Sequence, residues 1–169
     1  IETPDQHAIA LHPYGTGKVT IARKTETARW KQSSYSVEHL PKIVKMLEGQ
    51  PDVYISQNRF YGSRLIARLA QLDALFADID YYRIAKLRNL SAEQVHQLAL
   101  QTLSDANLPA PCLAIATGRG IALIWLHSAV PRQALPRWNA CQRQLYETLK
   151  PLGADHQALD AARVLRLVG

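Results

Sequence analysis

Apolar positions recur along this chain at two spacings, and the alternation between them predicts most of its elements. Lys18–Ala22 alternates weakly and reads as a strand. From Ser36 to Glu48, Leu40, Ile43, Val44 and Leu47 fall on one helical stripe with Ser36 placed to cap it. Gly49-Gln50-Pro51-Asp52 is a turn, and Val53–Ser56 is a short strand. Leu65, Ile66, Leu69 and Leu72 match helical spacing, so Gly62–Leu72 is read as a helix. Ala74–Ile79 is a short apolar run ending in acids, a buried strand by its length. Ser91-Ala92-Glu93-Gln94 opens a helix as a near capping box, followed by a stripe of Val95, Leu98, Ala99 and Leu103. Cys112–Ala116 and Ile121–His127 are β-rich runs joined by Thr117-Gly118-Arg119-Gly120, the signature of a hairpin. Arg132–Leu149 is a long helix stopped near Pro151 and Gly153. Asp155 can cap a short helical turn, and Arg163–Val168 is a last strand. Helices mixed with strands in this way predict an α/β (α+β) domain whose central sheet includes antiparallel pairs.

Composition narrows the class. At 169 residues and 47% hydrophobic, the chain can bury a core as one domain, or one domain with a small appended unit. No window approaches eighteen uninterrupted apolar residues, so no membrane-spanning helix is expected. There are 20 Lys and Arg against 14 Asp and Glu, a net charge of +6 that suits a phosphate-backbone partner. Two cysteines, Cys112 and Cys141, are too few for a disulfide framework or a cysteine-rich zinc site. Their apolar contexts predict buried free thiols in a reducing cytoplasm. The six histidines show no zinc-ligand spacing. Both ends read as cut, as expected of a fragment of a longer protein.

Three segments carry candidate chemistry. Residues two apart in a strand share a face, so Asp78 and Asp80 point the same way at the end of a buried strand. Two adjacent carboxylates repel unless a cation lies between them, and hard oxygen donors favour Mg²⁺ or Mn²⁺. The plain alternative is a strand end entering solvent. Thr117-Gly118-Arg119-Gly120 can present backbone N–H groups and a guanidinium to phosphate, or can simply be a glycine turn. Late in the chain, Asp155 is most simply a helix cap. Asp160 lies just before a strand and could complete a carboxylate triad, with Arg163 and Arg166 meeting phosphates; the alternative is a surface ion pair. Gly15-Thr16-Gly17-Lys18 looks like a phosphate loop but lacks its first glycine and a preceding apolar strand, and is read as a turn.

Taken in order, these segments resemble the archaeo-eukaryotic primase (AEP) superfamily, most closely replication proteins of plasmids and mobile elements. The resemblance rests on Val53–Ser56 with Asn58, on Leu75–Asp80, on Thr117–Gly120 running into Leu123-Ile124-Trp125, and on Asp160–Gly169. It implies an RRM-like central mixed sheet flanked by helices, plus an N-terminal αβ unit to which residues 1–52 contribute, with the motif-bearing core in 53–169. It implies primase-polymerase activity: template-directed nucleotidyl transfer with two Mg²⁺ or Mn²⁺ ions held by Asp78, Asp80 and Asp160, Asp155 being the second choice for the third acid. The nucleoside triphosphate would meet Thr117, Gly118, Arg119 and Gly120, with Arg163 and Arg166 contacting nucleotide or template phosphates. Partners implied are a single-stranded DNA template and primer and a replicative helicase, for a cytoplasmic monomer encoded by a bacterial plasmid or mobile element. One position departs from the pattern: Ala122 stands where the family's second motif has a histidine, and His127, five residues on, faces the other side of its strand. Rival readings are a non-catalytic single-strand-binding module and another metal-dependent enzyme such as a nuclease or sugar-nucleotide transferase.

Overall fold

A computed structural model of the chain describes residues 3–25, 27 and 29–168. The fold is α/β, with four α-helices and eight strands among the described residues, and the registers β1–β2, β1–β3, β1–β4, β3–β8, β4–β5 and β6–β7 are all antiparallel. The chain divides into two compact units. The first holds the residues up to Ala74, His127–Leu135 and the segment from Ala161 on; the second holds Leu75–Leu126 and Pro136–Asp160. No helix among the described residues is long and apolar enough to cross a membrane.

In the first unit, α1 (Pro4–Leu11) and α2 (Leu40–Lys45) pack on each other. The sequence pattern does not announce α1. Its buried stripe is Pro4, His7, Ala8 and Leu11, and a proline and a histidine within that stripe blank out the hydrophobic periodicity. Pro4 suits the first turn because its missing N–H would be unsatisfied there anyway. The helix expected over 36–48 is shorter: a 3-10 turn over Val37–His39 leads into α2, and the Ser36 hydroxyl bonds the His39 ring at 2.7 Å instead of capping.

The strands of this unit are β1 (Lys18–Lys24), β2 (Trp30–Ser36), β3 (Val53–Ser56), β4 (Arg59–Phe60) and β8 (Val164–Arg166), with β5 (Leu69–Ile79) beginning here. β1 is flanked on one side by β2 along its whole length and on the other by β3 and, at Lys18, by β4. β3 in turn pairs with β8. β2 has no hydrophobic alternation to announce it, because it is an edge strand with polar residues throughout its middle. The helix expected over 62–72 is replaced by a 3-10 turn at Ile66–Arg68 and the start of β5. Leu65 and Ile66 are exposed, while Leu69 and Leu72 are strand residues paired beside or beyond β4. A short apolar run at helical spacing cannot by itself be told from the first turns of a buried strand.

A buried ion pair anchors the unit. Arg59 is fully buried, and its Nε and Nη2 donate to the Asp73 carboxylate at 2.5–3.1 Å while Nη1 donates to the Tyr14 carbonyl at 2.6 Å. The His12 ring adds bonds to Asp73 and to the Ser56 carbonyl at 3.2 and 2.8 Å. Burial raises the Asp73 pKa, but the His12 and Arg59 hydrogen bonds and charges outweigh it and hold the carboxyl below its ordinary value.

In the second unit, β6 (Leu113–Ala116) and β7 (Ile121–Pro131) form the expected hairpin, and β7 lies beside β5. α3 (Ala92–Asp105) begins with a complete capping box: the Ser91 hydroxyl accepts from the Gln94 N–H and the Gln94 amide oxygen accepts from the Ser91 N–H. Its buried stripe is Val95, Ala99 and Leu103. α4 (Leu135–Leu149) buries Trp138, Gln142, Leu145 and Leu149. The core joins Ala77 and Ile79 of β5, Ile121, Leu123 and Trp125 of β7, and residues of α3 and α4. Both cysteines are free but exposed, which corrects the expectation of buried thiols: Cys141 lies off the buried stripe of α4, and Cys112 precedes the half-exposed strand β6.

Candidate active site

The site is built at the end of β5. That strand is buried on both faces over most of its length, so its apolar run determines its path, and it delivers Asp78 and Asp80 half-buried where the strand stops. Ala77 and Ile79 enter the core, and alternation puts Asp78 and Asp80 on the opposite face. Asp80 leaves extended geometry (φ −85°, ψ 56°) and leads into a 3-10 turn over Tyr81–Arg83.

A segment far along the chain pairs with this strand end. Ile79 and Ala154 form an antiparallel bridge, with the Asp80 N–H donating to the Gly153 carbonyl at 2.9 Å and the Asp155 N–H to the Asp78 carbonyl at 2.7 Å. This register sets Asp155 directly opposite Asp78, and residues opposed across an antiparallel pair share a face. Asp80 is opposed by Gly153, whose φ is +95° and where a Cβ would come within 3.0 Å of the Asp80 carbonyl oxygen. Glycine is therefore required there by conformation and by contact. Asp155 does cap a short helix as expected, its Oδ1 accepting from the Gln157 N–H at 3.0 Å.

Asp160 is placed differently. It is exposed, at the far end of that 3-10 turn (His156–Leu159), with its N–H bonded to the Gln157 carbonyl at 3.3 Å. Among the described residues, no group of three or more His, Cys, Asp or Glu side chains is gathered as a metal-ligand set. Asp78 and Asp155, opposed across the bridge, and Asp80 two residues on are half-buried carboxylates, the hard oxygen donors that a divalent cation takes. Arg83 lies at 3.3 Å from Asp80, and the Tyr82 hydroxyl, then Asp80, raise its pKa above the ordinary value.

Gln142 ties these pieces together, and no pattern in the sequence announces it. It is a polar residue on the buried stripe of α4, nearly inaccessible. Its amide oxygen accepts from the Phe76 N–H at 3.2 Å; its amide nitrogen donates to the carbonyls of Phe76 and of Ala158, the latter at 2.9 Å. One side chain thus links β5, two residues before Asp78, to the turn between Asp155 and Asp160.

The glycine turn also reaches this place. The Thr117 N–H bonds the Gly120 carbonyl at 2.9 Å, closing the β6–β7 turn. Gly120 is buried, and a Cβ there would collide with the Ile79 carbonyl oxygen between the two acids. Only glycine permits that approach. Gly118 has φ +88° with open space around it, and Arg119 is exposed. Ala122 is fully buried, and by alternation against Ile121 and Leu123 it lies on the face opposite the core. His127 belongs to the first unit. So do Arg163 and Arg166, and Arg166 bonds Asp52 at 2.9 Å with its guanidinium over the Tyr54 ring.

Comparison with known proteins adds a context. No family model matches the chain. A replication protein of Clostridium perfringens is 42% identical over 119 residues, covering 70% of this chain but only 28% of that protein's length. Among solved structures, the AEP domain of the cyanophage S-2L primase-polymerase is similar with a TM-score of 0.61 and 18% identity, covering 97% of this chain and 80% of that one. At that identity the likeness establishes the fold.

Proposed function

We propose that this chain, which has the fold of a primase-polymerase AEP domain, carries out template-directed nucleotidyl transfer in the replication of a plasmid or mobile element. The similarity to a replication protein supports the replication setting. The observation that carries the chemistry is the register at the strand end: Asp78 opposite Asp155, Asp80 two residues on, and the glycine turn packed on the Ile79 carbonyl between them.

In this reading Asp78 and Asp80 are metal-holding carboxylates. The third acid is Asp155, favoured over Asp160 by the register. A pair of bound Mg²⁺ or Mn²⁺ ions would activate a 3′-hydroxyl and offset the charge of the departing pyrophosphate. Thr117, Gly118, Arg119 and Gly120 hold the triphosphate: the space above Gly118 leaves room for phosphate oxygens, and the exposed Arg119 can bind them bidentately. Gln142 is a positioning residue that keeps the two acid-bearing segments in step. Arg163 and Arg166 are assigned to nucleic-acid phosphates. A replicative helicase is the partner to seek, and a bacterial cytoplasm the place.

The test is primer extension on a single-stranded template with Mg²⁺ or Mn²⁺. Asp78→Ala and Asp80→Ala should each abolish synthesis while circular dichroism shows an intact fold; full activity in both would overturn the assignment. A second reading, a non-catalytic single-strand-binding module, is favoured by Ala122 where the resembled family has a phosphate-contacting histidine. It predicts no template-matched product with any metal or nucleotide.

A further inference from the structure

We infer that the Trp30–Tyr54–Arg166 side of the β2-β1-β3-β8 sheet in the first unit is a stacking platform for the unpaired bases of a single nucleic-acid strand. The inference rests on the proposed function only for the identity of the strand, a template or primer.

The register defines the platform. Gln32, Ala22, Tyr54 and Arg166 lie in one row across the four strands, and Trp30 opposite Lys24 forms the next row on the same face. Ala22, the small residue of the row, is fully buried beneath the larger side chains. Trp30 and Tyr54 meet edge to face, with centroids 5.1 Å apart. Arg166 lies over the Tyr54 ring at 5.2 Å and is held there by Asp52 at 2.9 Å and the Tyr54 hydroxyl at 3.2 Å. Arg64 bonds Gln32 at 3.0 Å and the Ala162 carbonyl, adding a second guanidinium beside the same row.

Two features distinguish this face from ordinary packing. Trp30 is 51% exposed, whereas Trp125 and Trp138 are 6% and 4% exposed in the core. A large ring left half in water at a sheet edge gains little for the fold and keeps a free surface for stacking. The charge is also one-sided: on this face the four strands present Lys18, Lys24 and Arg166 and no Asp or Glu. Aromatic rings interleaved with cations suit a strand whose bases are free to stack and whose phosphates need neutralising.

Trp30 provides the test, being the exposed tryptophan of the three. Titrating the chain with a 12-mer of deoxythymidine, without nucleotide or divalent metal, should quench the tryptophan fluorescence. Trp30→Phe should keep the affinity within about threefold and lose most of the quench, because Phe still stacks but does not report. Trp30→Ala should weaken binding about tenfold or more. Arg166→Ala should weaken it as well, and a duplex of equal length should not produce the Trp30-dependent signal. The inference is overturned if the wild-type chain does not bind the oligomer. It is overturned equally if Trp30→Ala binds as tightly as wild type, as it would were the face a protein-docking surface, or if the quench survives in Trp30→Phe. Since the readout uses no synthesis, a failure of the polymerase reading leaves these outcomes unchanged.

Discussion

The sharpest question at the scale of single residues concerns which late acid joins Asp78 and Asp80. The family resemblance places that acid on Asp160, and Asp155 already has a role as a cap. The function proposed above takes Asp155 because it opposes Asp78, and capping a turn does not remove a carboxylate's second oxygen from use. Asp155→Ala should therefore depress primer extension by several orders of magnitude, while Asp160→Ala should retain activity within about tenfold. Parallel assays of the two variants decide between them. A second residue governs acid stability. His7 is buried in α1, its Nδ1 accepting the Val168 N–H at 3.3 Å, and its pKa is lowered to about 4, first by burial and then by the nearby His12. The unfolded chain takes up this proton below about pH 6.5 and the native state only near pH 4, so stability falls as pH drops through that window. The loss amounts to on the order of 3 kcal/mol. Chemical denaturation at pH 7 and pH 4.5 should show a smaller difference for His7→Gln than for the wild type.

Among the elements, the strand end and the turn packed on it are the most demanding. Gly120→Ala forces a Cβ against the Ile79 carbonyl, so β5 or the hairpin must shift. A core overpacking of this kind costs about 1–3 kcal/mol. Nucleotide KM should rise with it, since the turn would move away from the acids; an unchanged KM with lowered Tm would make the glycine purely structural. Gln142 acts through two elements at once. Gln142→Leu leaves the Phe76 and Ala158 main-chain groups without this partner, at about 1–3 kcal/mol for a buried unsatisfied group. Gln142→Glu retains one acceptor oxygen but loses the amide donor, and should recover only part of the stability measured by thermal denaturation. A role in positioning would appear as a lowered kcat with little change in KM.

For the whole molecule, the function proposed above assigns the +6 charge to binding a phosphate backbone and not to the fold. Affinity for a single strand should fall linearly on a log–log plot against salt. Neutralising about four phosphates on a single strand gives a slope near −3. Arg166→Ala and Lys24→Ala should each make it shallower by somewhat under one unit if each meets one phosphate. Fluorescence anisotropy from about 50 to 200 mM salt measures this.

Much of the architecture was legible without coordinates. The buried strand ending in Asp78 and Asp80, the capping box at Ser91 and the hairpin around Thr117–Gly120 each follow from local chemistry, which a one-dimensional pattern records fully. Three things were not legible. The helical spacing of Leu65, Ile66, Leu69 and Leu72 misleads at the start of β5, because only Leu69 and Leu72 belong to the strand and a strand buried on both faces shows no alternation. β2 carries no apolar alternation, since an edge strand is held by main-chain bonds that leave no trace in side-chain type. The pairing of Asp155 with Asp78 joins residues 77 apart in the chain, and only the tertiary register brings them face to face. Local preference writes elements into the sequence; which acids share a face depends on long-range pairing, and that is decided by the fold.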